Sequence, residues 1–195
     1  MPRPRTVSDE DVLDGVLALA HRVGPGKLTL AAAAREVGLS PATLIQRFGT
    51  KHALLLAADR RGVERWVLPI EEAEHPSPLD RIIEGLVGAV DPDMTPEAMA
   101  NSVAMLQLDL AEPDFHTVAL LGARRLRAAI EHHLEAASIA GEIRDTTDVT
   151  ALAKLIETTY HGAMIGWALH REGSLADWMR EQIEAALQPS RVLSS

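Results

Sequence analysis

Gln46 carries a carboxamide that can donate to and accept from an adenine edge, and it stands beside Ala42, Thr43 and Ile45, whose methyl groups suit thymine methyls or a sugar edge. Arg47 follows and could address either a base or a phosphate. Thr29, Ser40 and Lys51 fall where helices start, and there the amides and the helix dipole already favour a phosphate, so these residues position rather than specify. The chemistry on offer is the reading of duplex DNA. It requires that Ala42, Thr43, Ile45 and Gln46 share the outer face of one short helix.

The surrounding residues predict that helix. Thr29 caps a first helix through TLAAAAREVG, and the small run Ala31 to Ala34 lets a neighbouring helix approach closely. Gly38 supplies the left-handed residue that ends it, and Leu39 is the buried link. Ser40 restarts the chain as a cap, with Pro41 at a first helical position that needs no donor. Leu44 and Phe48 then turn inward at i, i+4 spacing, which leaves a small, polar and unobstructed face suited to a major groove.

Other chemistries lack their parts. His132, His133, His161 and His170 invite a metal centre or a histidine-based enzyme. Adjacent His132 and His133 point about 100° apart on a helix, however, and no HExxH, glycine-rich phosphate loop or nucleophile elbow occurs. We therefore expect no catalytic residues, no metal and no cofactor.

The run from Leu28 to Leu54 resembles the tetracycline-repressor (TetR) family of transcription regulators. The residues that carry the likeness are Thr29, Ala34, Gly38, Ser40, Phe48 and Lys51, in the family's order and spacing. Ala42 departs from a commoner Gly. Ile45 stands where the family usually places a Tyr that touches the DNA backbone, which removes one phosphate contact. The resemblance implies a divergent helical second domain that admits a small molecule and shifts the fourth helix, and a homodimer built on the last two helices.

Composition agrees with an ordinary globular chain. The 195 residues are 47% hydrophobic, enough to bury a full core. Cysteine is absent, which removes disulfide staples and thiolate metal sites and fits a reducing cytoplasm. No apolar run nears the roughly 20 residues of a membrane span. The net charge of −9 divides unevenly: residues 1–66 hold ten Lys or Arg against seven Asp or Glu, and residues 67–195 hold nine against twenty-one. A basic reader joined to an acidic remainder keeps random DNA binding modest without forbidding specific binding. Arg3 and Arg5 form a short basic arm that could reach a minor groove or a phosphate.

Helical periodicity extends through the rest of the chain, and no strand pattern competes. Ser8 with Asp11 caps a first helix that Gly24 stops, and Val7 with Val12 forms a staple. A fourth helix runs from near Lys51 to Ile70, a fifth covers PLDRIIEGLVGAV, a sixth opens at Thr95 and Pro96, and a seventh spans Asp114 to about Ala140. The eighth, from Asp148 to about Arg171, is apolar or small on nearly every face, and Ser174 with Asp177 caps a ninth.

The expected fold is all-α with about nine helices, organised as a three-helix helix-turn-helix domain and a larger helical ligand-binding and dimerisation domain. Residues 1–52 form the first, 53–74 a connecting helix shared by both, 75–190 the second, and 191–195 a tail. Trp66, Met105, Phe115, Tyr160, His161, Met164 and Trp167 are the candidates to line an apolar ligand cavity, with plain core as the competing role for each. Gly162, Gly166, Trp178, Ile183 and Leu187 are the candidate dimer contacts. The expected partners are an operator in duplex DNA, a small-molecule effector and a second copy of the chain. The competing reading is a helical ligand-binding or adaptor protein that has lost DNA binding, for which Ile45 is the only hint.

Overall fold

The computed structural model describes residues 7–192, and among them nine α-helices and one 3-10 turn carry the fold. The helices are α1 (Asp9–Val23), α2 (Leu30–Glu36), α3 (Pro41–Phe48), α4 (Lys51–Glu71), α5 (Pro78–Gly88), α6 (Pro96–Ala111), α7 (Pro113–Ile139), α8 (Val149–His170) and α9 (Leu175–Leu187), followed by the short turn Gln188–Ser190. No helix among the described residues is long and apolar enough to cross a membrane. Among the described residues, extended pairing is limited to one isolated antiparallel bridge, Ile143 with Arg191.

The chain divides into two compact units. The first combines Met1–Glu64 with Glu97–Ala119, so α6 and the start of α7 join α1, α2, α3 and most of α4. Its core is built from Val12, Val16 and Leu19 on α1, Ala33 and Ala34 on α2, Leu44 on α3, Leu54, Leu55 and Ala58 on α4, Met105 on α6 and Phe115 on α7. Small residues set the spacing: a side chain at Gly15 would strike Val37 Cγ1 at 2.7 Å. Asn101 on α6 donates its amide to the carbonyls of His21 (2.8 Å) and Arg22 (3.0 Å), and so satisfies two acceptors left open where α1 ends.

The second unit combines Arg65–Pro96 with Leu120–Ser195. Ile70, the apolar face of α5, Leu126, Ile130 and Leu134 of α7, Leu152 and Ile156 of α8, and Met179, Ile183 and Leu187 of α9 form its core. α5 lies against the end of α4 so closely that a Cβ at Gly85 would stand 2.7 Å from Ile70 Cα. Polar groups tie distant elements together. The Glu142 carboxylate caps α5, accepting from Ser77 Oγ at 2.9 Å and from the Leu79 amide at 3.0 Å. Arg127 holds the buried Glu157 carboxylate at 2.6 Å, and Arg180 forks onto Glu84 at 2.8 and 2.9 Å. His133 is buried and donates from Nε2 to the Ile70 carbonyl at 2.8 Å; burial lowers its pKa, against the raising effect of that hydrogen bond.

Candidate nucleic-acid interface

The reading face is assembled by caps that reach three residues forward. Ser8 Oγ accepts the Asp11 amide at 3.0 Å and donates to its carboxylate at 2.7 Å, while Val7 and Val12 pack in one cluster. Thr29 Oγ1 accepts the Ala32 amide at 3.1 Å and opens α2. Gly38, with φ +68°, turns the chain, and Ser40 Oγ accepts the Thr43 amide at 3.1 Å to open α3 with Pro41 in its first turn. The sequence reading missed Thr50, whose Oγ1 caps α4 by accepting the Ala53 amide at 3.0 Å. Its signal was the Ser/Thr-type residue directly before the helix.

Leu44 is fully buried and seats α3 in the core, with Phe48 packed beside it. On the opposite side Pro41, Ala42, Ile45 and Gln46 are exposed, Ile45 to 42%, and Thr43 is half-buried with its hydroxyl 2.9 Å from Ser40 Oγ. Thr29 and Ser40 are exposed at their caps. Lys51 is half-buried, and its Nζ lies 3.4 Å from the Pro25 carbonyl, a long contact that leaves the ammonium available.

Arg47 departs from the expectation of a base or phosphate contact. Its Nε donates to Asp9 Oδ1 at 2.7 Å, a second guanidinium nitrogen meets the same carboxylate, and Nη1 donates to the Val7 carbonyl at 3.0 Å. The side chain turns toward the start of α1 and fastens the end of α3 to it. Asp9 stands 38 residues away, so no local pattern announces the pair. Arg3 and Arg5 lie outside the described residues, as does the end of the expected tail.

The seven candidate ligand residues are divided between the two units. Met105 and Phe115 are core residues of the first unit, where the Phe115 ring meets His52 edge-on at 5.3 Å. In the second unit Trp66 stacks on Tyr160 at 6.2 Å, His161 meets both rings, and Met164 packs against the same core. Burial raises the Tyr160 pKa. Trp167 is buried and its indole N–H donates to the Gly173 carbonyl at 3.2 Å. Two surface hollows, of about 440 and 260 Å³, are lined by none of the seven. Helical spacing made each of these residues an equally good core candidate; His161 is exposed. Spacing carried no information about which core receives them.

The candidate dimer contacts divide in the same way. Ile183 and Leu187 are fully buried in the second unit's own core, and a Cβ at Gly166 would sit 3.6 Å from the Trp178 ring of the same chain. Ile183 and Leu187 serve internal packing, because the inner face of α9 is consumed by its own unit, and half-buried Gly166 on α8 makes room for Trp178. Trp178 is half-buried and stacks on His170 at 5.5 Å. Gly162 alone looks outward, with open space where a side chain would be.

Residues 12–58 match the family model described as bacterial regulatory proteins, tetR family. No curated protein matches the chain in sequence. Among solved structures, a TetR transcription regulator from Haloarcula marismortui is 18% identical, with a TM-score of 0.81 over 94% of this chain and 98% of that one. A putative TetR-family regulator from Rhodococcus sp. is 22% identical, with a TM-score of 0.75 over 93% and 97%. A putative transcriptional regulator from Saccharomonospora viridis, in complex with choline, is 20% identical, with a TM-score of 0.79 over 97% and 100%. The likeness to these structures is one of fold.

Proposed function

We propose, from the premise that the chain carries the N-terminal domain of the tetR family of bacterial regulatory proteins and shares the family's all-helical fold, that it is a sequence-specific transcriptional regulator which acts as a dimeric repressor. The observation that carries the reading is α3, a helix seated by Leu44 and capped by Ser40 that leaves Ala42, Ile45 and Gln46 uncovered by its own unit. A dimer places two such helices about 34 to 36 Å apart in successive major grooves, so the operator is a near-palindrome.

The surface offered for dimerisation is the outer face of α8. Ala151, Leu155, Thr158, Gly162, Ile165 and Leu169 recur at i, i+4, i+7, i+11, i+14 and i+18, all exposed, with Leu169 at 77%. A small and largely apolar stripe left open along a helix whose opposite face is buried favours a second copy of itself. Release of the operator by a small molecule follows the same family reading. The cluster of buried Tyr160, half-buried Trp66 and exposed His161, aromatic and polar-edged and open to the surface of the second unit, is the place such a molecule would be felt.

Selecting bound fragments from genomic DNA tests the function. A palindromic consensus is expected, and recovery of no sequence preference would remove the regulator reading. With that site in hand, Gln46→Ala costs about 1 to 3 kcal/mol and relaxes preference at one operator position, while leaving the melting temperature unchanged. Equal weakening on specific and random DNA would take base reading away from Gln46. Ile165→Glu gives a monomer by sedimentation, with weakened operator affinity; an intact dimer would move the interface off α8.

A further inference from the structure

Asp59 on α4 and Asp109 on α6 belong to the first unit, and each has one carboxylate oxygen that is shut off from solvent with no hydrogen-bond partner. Both lie next to core residues of their helices: Asp59 follows the buried Leu55 and Ala58, and Asp109 follows the buried Met105 by one turn. An ionised carboxylate with an unpartnered buried oxygen is costly, and two of them in one helix joint cost more. Among the described residues no cation partners either buried oxygen. On α4, Arg61 is turned to Asp14 and Glu10 of α1 and to Glu64, and His52 faces Asp114 of α7. On α1, Arg22 is held by Glu36 of α2, and on α3 Arg47 is held by Asp9. The remaining charged or titratable groups among the unit's described residues are Asp11, His21, Lys27, Arg35, Lys51, Arg60, Glu97, Glu112 and His116, and the neighbouring charge that raises Asp59 is that of Asp109.

We propose that Asp59 and Asp109, each with an orphaned oxygen beside the core that α4 and α6 share, form a proton-operated joint, holding a proton while the two helices are packed and loosening that packing when the proton leaves. Burial, and then the neighbouring Asp109, pushes Asp59 up to about 7, and burial pushes Asp109 up to about 6, which supports the placement of the switch in that range. The sign follows from linkage. A carboxylate raised above its unfolded value of 3.8 binds more protons in the packed state than in the open one. Packing is therefore strongest at low pH and declines as pH rises toward about 7, beyond which the loss is complete. One proton released per opening shifts the opening equilibrium by up to about tenfold per pH unit inside that window. The consequence reaches α3 because α6 and the reader helices share one unit, with Asn101 bonded directly to the end of α1.

Two measurements on the full-length protein decide it. Carboxyl carbon chemical shifts, assigned by comparison with Asp59→Asn and Asp109→Asn, should show a group of the pair titrating between pH 6 and 7; both groups titrating near 4 would overturn the proposal. Amide hydrogen exchange across residues 97–111, corrected for intrinsic base catalysis, should show opening that grows with pH between 5 and 7 in the wild type and is flat in Asp109→Asn. The same slope in both proteins would overturn it. Should Asp109→Asn fail to fold, Asp59→Asn reads the same slope from the other side of the joint. The operator arm rests on the regulator reading: affinity several-fold higher at pH 6 than at pH 8, with the dependence absent from the Asn variant. A wild type that binds operator equally at both values would overturn the link to α3. Absence of sequence-specific binding at any pH would instead strike the regulator reading, and the carboxyl and exchange results would still decide the joint.

Discussion

Both units use local caps and remote ties, but the weight differs: each of the first four helices opens on a local cap, whereas α5 of the second unit opens on a cap shared with a remote carboxylate. In the reader unit Ser8, Thr29, Ser40 and Thr50 each satisfy an amide three residues ahead. In the second unit the cap of α5 is shared between the local Ser77 and the remote Glu142, while Arg125 with Glu71, Arg127 with Glu157 and Arg180 with Glu84 join residues 30 to 96 positions apart. Local caps define short helices whose outer faces stay free. Remote ties define a thick core with its polar groups spent internally. A surface for reading a long partner needs the first arrangement, and a body that must hold together around a perturbation uses the second.

The reader depends on very few anchors, and that is where the contrast breaks most easily. Leu44 is the one fully buried side chain of α3. Leu44→Ala is expected to cost about 2 to 5 kcal/mol in chemical denaturation. Because the loss falls on one unit, the reader should unfold ahead of the second unit, as an early transition in far-ultraviolet circular dichroism with the tryptophan signal unchanged. All three tryptophans, Trp66, Trp167 and Trp178, lie in the second unit, which makes their fluorescence a clean reporter. A loss shared equally by both signals would show the units to be one cooperative block.

The same difference in range explains what was legible in the sequence. Caps at Ser8, Thr29, Ser40 and Ser174 were readable because cause and effect lie within one turn. So were the buried faces of α1, α7 and α9, since periodicity states which side is apolar. Periodicity does not state what that side packs against. Met105 and Phe115 therefore pointed toward a ligand cavity and proved to be reader core, and Ile183 and Leu187 pointed toward a partner and proved to be internal. The tie from Arg47 to Asp9 was not legible for the same reason, its partner being 38 residues away. The Asp59 and Asp109 carboxylates left no trace in the sequence, as nothing in either segment reveals that two helices 50 residues apart bring them into one joint.

Comparing one cap from each unit sharpens the contrast. Glu142→Ala removes an acceptor from two donors at the start of α5 and is expected to cost about 1.5 to 3 kcal/mol, the range for hydrogen bonds to a charged group. Ser40→Ala removes one neutral acceptor at an exposed helix start and is expected to cost about 1 kcal/mol. Urea denaturation of the two variants, with Ser40→Gly beside Ser40→Ala, checks the order. Glycine should recover most of the loss at a cap, and a Ser40→Gly protein as weak as Ser40→Ala would mean that the hydroxyl does more than cap.

The smallest effect separates two cations that the sequence placed side by side. Arg47 is committed to Asp9 and Val7, whereas the Lys51 ammonium makes only a long contact to a carbonyl at the first turn of α4. A cation already neutralised by its own protein releases no counterion when DNA binds; one still available does. Lys51→Ala should therefore weaken binding evenly across sequences and reduce the slope of log affinity against log salt by about one. Arg47→Ala should leave that slope unchanged and act through stability, because it frees the end of α3 from the start of α1. Titration of one operator at several salt concentrations gives both slopes. A reduced slope for Arg47→Ala would mean that the guanidinium leaves Asp9 for a phosphate on binding, which would make the reader's internal tie a switch instead of a fixture.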